Sequence, residues 1–138
     1  MMTEHEAVPG TEYYGDDHYG LMIDRIKDME EIDQYTFFDM YQDFTDTTAI
    51  YPKEKGLEYT ALGLASEAGE FAGKVKKMIR DKTYDTEAMI AELGDVLWYV
   101  ARAAAELDVH LSDVAKDNVE KLKSRMERNV VKGDGDNR

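Results

Sequence analysis

Two pairs of carboxylates stand inside segments that otherwise read as buried. In GLASEAGEFAGKVKK, Glu67 and Glu70 are three residues apart among small and apolar side chains; in AELGDVLWY, Glu92 and Asp95 repeat that spacing. On an α-helix a spacing of three leaves side chains about 60° apart and one turn along, so each pair points one way. An ionised carboxylate drawn out of water protonates, pairs with a base or binds a metal. Four together also repel one another. A divalent cation resolves both problems, and oxygen-only donors on two facing helices suit Mg²⁺, with Mn²⁺ as a substitute. A single Glu-x-x-Glu is commonly just a polar helix face; two pairs within apolar helices argue for more. A di-iron bundle would need Glu-x-x-His, and His5, His18 and His110 all lack that offset. The terminal KGDGDNR alternates acids as a calcium loop does, but has no glutamate to close one.

These acids need helices to hold them. Between about Asp28 and Ile50, Phe37, Met40, Tyr41, Phe44 and Thr48 recur at three and four, which predicts an amphipathic helix closed by Pro52. From Glu54 to Arg80, Leu57, Ala61, Leu64, Ala68, Phe71, Val75 and Met78 form an unbroken seam that should pack on other helices. That segment also carries Gly63, Gly69 and Gly73, each costing a helix interior roughly 1 kcal/mol; a close neighbour is expected to require them. A third helix, Asp85 to Leu107, is apolar nearly all round, with Glu92, Asp95 and Arg102 its only charges between Ala88 and Ala105. It belongs in the middle of a bundle. A fourth is expected from Ser112 as N-cap to Arg128, with Ala115, Val119, Leu122 and Met126 inward. No segment alternates with period two. The pattern predicts an all-α four-helix bundle, up and down, completed by oligomerisation.

Composition narrows the function classes. With 17 Lys+Arg against 30 Asp+Glu the net charge is -13, so the chain as a whole repels duplex nucleic acid and anionic membranes. Phosphates remain accessible where a cation stands between them and the carboxylates. The absence of cysteine excludes thiol catalysis, thiolate metal sites and disulfides. No apolar run approaches the ~18 residues of a membrane span, and MMTEHEAVPG lacks the features of a signal peptide, so a cytoplasmic protein is expected. At 138 residues one folded domain is expected over 21–130, after a flexible acidic leader at 1–20 and before a tail at 131–138.

The runs GLASEAGEFAGKVKK, AELGDVLWYVA and DNVEKLKSRMERN together resemble the MazG-like nucleoside triphosphate pyrophosphohydrolases. The resemblance extends from Tyr35 to the C-terminus. It implies that Glu67, Glu70, Glu92 and Asp95 hold Mg²⁺, and that a nucleoside triphosphate is cleaved between its α and β phosphates. Glu67 or Glu70 would then orient or deprotonate the attacking water, an assignment the sequence leaves open. Ser66 departs from the family pattern, which has a glutamate there. Asn118, Lys121 and Arg125 form a strip along the edge of the fourth helix's apolar face. They match the family's N-x-x-K-L-x-x-R, which implies contacts with substrate phosphate or sugar; Lys74 is a further candidate for outer phosphates. Trp98, Tyr99, Phe37, Phe38 and Tyr41 are the aromatic candidates for a base slot. The resemblance also implies a homodimer or homotetramer. The competing readings are a catalytically silent helical interaction module, its acids paired with Lys74, Lys76, Lys77 and Arg80, and a related phosphohydrolase with a different cleavage position.

Overall fold

The computed structural model describes residues 37–132 and Gly135, all within the compact unit Tyr35–Arg138; the expected leader lies outside the described residues. Four α-helices and no strand occur among them: α1, Phe37–Asp46; α2, Gly56–Asp81; α3, Thr86–Glu106; and α4, Leu111–Glu127. A single 3₁₀ turn, Lys53–Lys55, leads into α2 from Pro52. The all-α expectation holds. Thus α2 and α3 fall within two residues of their predicted bounds, whereas α1 stops six residues before Pro52. The backbone NH groups of Thr47, Thr48 and Ala49 close that end on the carbonyls of Phe44, Thr45 and Asp46.

Local chemistry explains the other ends. Asp85 caps α3 by accepting from the Ala88 NH at 3.0 Å. The C-termini of α3 and α4 turn on left-handed residues, Asp108 (φ 57) and Asn129 (φ 55). In each, the next NH reaches back five residues, Val109 to the Ala104 carbonyl and Val130 to the Arg125 carbonyl. This double closure satisfies carbonyls that the helix itself leaves open. Lys82 (φ 53) ends α2 in the same backbone region.

Helix α3 is central: it packs on α2, on α1 and on α4, whereas α2 meets no other α-helix among the described residues. The α2/α3 pair is antiparallel and in close contact. A Cβ at Gly56 would overlap the Glu106 carboxylate, and one at Gly63 would overlap the Tyr99 ring. Seven residues forward on α2 thus answer seven back on α3, and the next step sets Glu70 opposite Glu92. Gly69 and Gly73, by contrast, have open space where a Cβ would stand, so the expected close neighbour exists only at Gly63.

Among the described residues the predicted apolar seams are at most half-buried: Leu64, Phe71, Val75 and Met78 on α2 and Ala115 and Val119 on α4 reach that level, and the fully buried positions lie elsewhere. On α2 the buried residues are Gly56 and Thr60, one position off the seam, and Leu57 is 45% exposed. Helix α1 buries Asp39, Gln42 and Thr45 while Phe37, Met40 and Phe44 are exposed. In α4, Leu111 and Arg125 are buried; Leu122 and Met126 are exposed. The reason is polar. Gln42 Nε2 donates to the Val109 carbonyl at 2.9 Å and, more weakly, to that of Ala101 at 3.4 Å; its Oε1 accepts from the Leu111 NH at 2.9 Å. Asp39 Oδ1 accepts from the Ser112 NH at 3.1 Å. Two α1 side chains thereby cap α4, and Ser112 is not the cap: that position falls to His110, which makes no capping bond itself. The apolar core beneath is small, Ala101, Ala104 and Leu111 with Tyr41 and Val100 against it.

Substitution at the glycines separates these environments. Gly63→Ala is expected to lower stability by about 1–3 kcal/mol, because overpacking against Tyr99 outweighs the helix-propensity gain. Gly69→Ala is expected to raise it by up to roughly 1 kcal/mol. Urea unfolding of both variants checks the opposed signs.

Candidate active site

The α2/α3 register brings three of the four predicted acids together. Glu67, Glu70 and Glu92 each offer one carboxylate oxygen such that all three lie within 4.8 Å of one another. Oxygen ligands of a cation at about 2.1 Å stand up to roughly 4.2 Å apart, so small side-chain adjustments would let this trio grip Mg²⁺ or Mn²⁺. Asp95, exposed like Glu70, lies outside that trio, but its charge acts on Glu67. Glu67 is harder to ionise than an ordinary glutamate, through burial first and then the charges of Glu70, Asp95 and Glu92. Negative charge accumulates where the helices meet. Ser66 is exposed on α2.

Lys74, one turn beyond Glu70, brings a positive charge to this cluster: its Nζ stands 3.4 Å from Glu92 Oε1. Arg80 is held by its neighbour Asp81 at 2.6 Å, and Lys77 also bears on Asp81.

An aromatic cluster adjoins the acids. Trp98 and Tyr99 meet edge to face with centroids 4.9 Å apart, Tyr51 stacks on Tyr59 at 5.0 Å, and Tyr51 meets Trp98 edge-on at 6.4 Å. The Trp98 indole NH donates to the Thr48 hydroxyl at 2.8 Å. The Tyr99 hydroxyl is pushed toward its neutral form by burial, by Tyr59, and then by Glu67 and Asp95; Tyr41 is shifted likewise by burial and Asp95. The rings therefore border the carboxylates. Of the remaining candidates for a base slot, Phe37 and Phe38 are exposed on α1.

The strip on α4 divides. Asn118 and Lys121 are exposed on a helix that packs against α1 and α3. Arg125 is buried, with Nη2 donating to the Gly135 carbonyl at 3.3 Å, so it lies within the folded body and not at its edge.

A second polar centre was not anticipated. Buried Arg102 bonds Asp46 Oδ1 at 3.0 Å through Nη2 and the Tyr51 hydroxyl at 3.2 Å through Nε; that hydroxyl donates to Glu106 at 2.5 Å. It borders a cavity of about 490 Å³ shared with Gln42, Asp43 and His110. The centre lies roughly 15 Å along α3 from Glu92, and its groups are already paired. An arginine within an apolar helical run was the available signal, because such a charge requires a partner.

The comparisons agree with the geometry. The family model described as MazG nucleotide pyrophosphohydrolase domain matches residues 55–130, which span both acidic pairs and the α4 strip. The chain is 49% identical over 111 residues to the Gene 37 protein of Mycobacterium phage L5, an alignment covering 72% of this chain and 97% of that one. No solved structure matches significantly.

The crowding at Glu67 has a readable sign. Its carboxyl titrates above the ordinary 4.5, so above that pH the folded chain retains a proton that the unfolded chain has lost. Stability then falls as pH rises through the folded-state value. In chelator, this carboxyl is expected to lower the urea midpoint as pH rises above about 4.5, and Glu67→Gln should make that decline shallower.

Proposed function

The chain belongs to the MazG nucleotide pyrophosphohydrolase family, and on that premise we propose that it hydrolyses a ribo- or deoxyribonucleoside triphosphate between the α and β phosphates, releasing monophosphate and pyrophosphate. The observation that carries this reading is the convergence of Glu67, Glu70 and Glu92 within 4.8 Å, with the Asp95 charge bearing on the same site. These four acids would hold Mg²⁺, or Mn²⁺ in its place. Such a cation, when bound, offsets the triphosphate charge and makes water acidic enough to attack phosphorus near neutral pH.

The protein's own groups supply the rest. Glu67, already reluctant to ionise among its neighbours, is suited to accept a proton from the attacking water; Glu70 is the alternative base. Lys74 and the exposed Lys121 provide positive charge for outer phosphates, and Asn118 offers an amide to phosphate or sugar. Arg125 is buried and ties Gly135 back to α4. The ring of Tyr99, which the charges of Glu67 and Asp95 reach, offers a flat face for a base. Of the bases that the silent-module reading pairs with the acids, Lys74 does meet Glu92, whereas Arg80 is taken by Asp81.

A homo-oligomer, dimer or tetramer, completes the site. Few apolar side chains are buried among the described residues, and α3 exposes Ile90, Leu93 and Leu97, 62%, 49% and 40% accessible, along one stripe. Among the described residues no helix is long and apolar enough to cross a membrane, which is consistent with action on a dissolved nucleotide.

Glu67→Gln, Glu92→Gln and Asp95→Asn keep shape and remove charge; each is expected to lower turnover by about 10²-fold or more while circular dichroism stays unchanged. Retained turnover in all three would remove the site. Lys121→Ala should raise KM several-fold with little effect on melting, whereas Arg125→Ala should lower the melting temperature as well.

Hydrolysis in water enriched in heavy oxygen tests the cleavage position. Label should enter the nucleoside monophosphate and be absent from pyrophosphate, because attack at the α phosphorus leaves the solvent oxygen there. Labelled pyrophosphate would indicate attack at β, and release of orthophosphate attack at γ.

A further inference from the structure

Lys74 reaches one of the three carboxylates that a cation would use. Its Nζ lies 3.4 Å from Oε1 of Glu92, the most buried of the three converging acids, and it is placed one turn past Glu70 on the same helix face. The Lys74 side chain is 37% exposed against 12% for that of Glu92, so the carboxylate is the more sheltered of the two and the lysine has solvent into which to withdraw. An ammonium and a divalent ion cannot share one carboxylate without strong mutual repulsion.

Resting on the metal reading above, we propose that Lys74 is an exchangeable counter-ion: it neutralises Glu92 in the metal-free protein, is displaced when a divalent cation loads, and then turns outward to the polyphosphate. The residue type suits the task. A lysine is a compact point charge on a flexible four-carbon stem and releases a carboxylate more readily than an arginine with its two-bond fork. One side chain thereby acts against metal binding and in favour of nucleotide binding. A lysine that merely decorated the helix would do neither, and a pure phosphate ligand would leave metal affinity unchanged.

The test measures Mn²⁺ binding without nucleotide, from the paramagnetic signal of free Mn²⁺, in the unaltered protein, K74M and K74R. Relief of the competition should tighten Mn²⁺ binding about three- to tenfold in K74M, whereas K74R, which holds the carboxylate more firmly, should bind Mn²⁺ more weakly than the unaltered protein. The metal-free K74M protein should melt lower and gain more from Mn²⁺, while its KM for nucleoside triphosphate rises. K74Q gives the same readout should K74M misfold. If the unaltered protein binds Mn²⁺ and the charge-removing variant binds it equally or more weakly, Lys74 is not the counter-ion. If the unaltered protein binds no Mn²⁺, the metal reading itself fails and this inference falls with it.

Discussion

The close approach of α2 and α3 at Gly63 is the constraint on which the site depends. Only a residue without a side chain leaves room there for the Tyr99 ring, and the helices can therefore run antiparallel at short range. Four residues along α2, Glu67 enters the interface, and seven along, Glu70 stands opposite Glu92. Like charges on opposed helices would ordinarily push them apart. Here the contact on either side of Gly63 holds the acids near one another, and the cost appears as a Glu67 carboxyl that resists ionisation. The site is thus built by packing that works against its own electrostatics.

Much of this was legible in the sequence because α2 and α3 carry long, strong periodicities, and their predicted ends lie within two residues of the observed ones. The pairing of Glu67 with Glu70 follows from helical spacing alone. That Glu92 joins them requires the interhelical register, which spacing does not contain. The facing of α1 and α4 was not legible. Apolar periodicity predicted Phe37, Met40 and Phe44 inward, yet that face is exposed and the opposite one is buried because Asp39 and Gln42 satisfy backbone groups at the α3/α4 junction. A hydrophobic stripe marks a face to be covered, without saying whether the same chain covers it.

Arg125 and Arg102 teach a related lesson about charge. On a helical projection Arg125 borders the apolar face, and its burial depends on the carbonyl of Gly135, ten residues on. Arg102 is sheltered through Asp46 and Tyr51, both far from it in sequence. Neither partner can be inferred from local spacing. In both cases the guanidinium retains hydrogen-bonding partners as it leaves water, which makes its burial tolerable.

The capping of α4 by α1 also bears on the order of folding. The first NH groups of α4 are satisfied by Gln42 and Asp39, which lie 69 and 73 residues earlier than the groups they receive. Helix α4 cannot secure its own beginning until α1 has docked, so a long loop must close before that end gains its bonds. The α2/α3 hairpin, joined by a short turn, carries no such requirement. It can form early, with α1 and α4 condensing onto it as one cooperative unit. Amide exchange at Leu111 and Ser112 should then follow the opening of α1, although no covalent neighbour links the two.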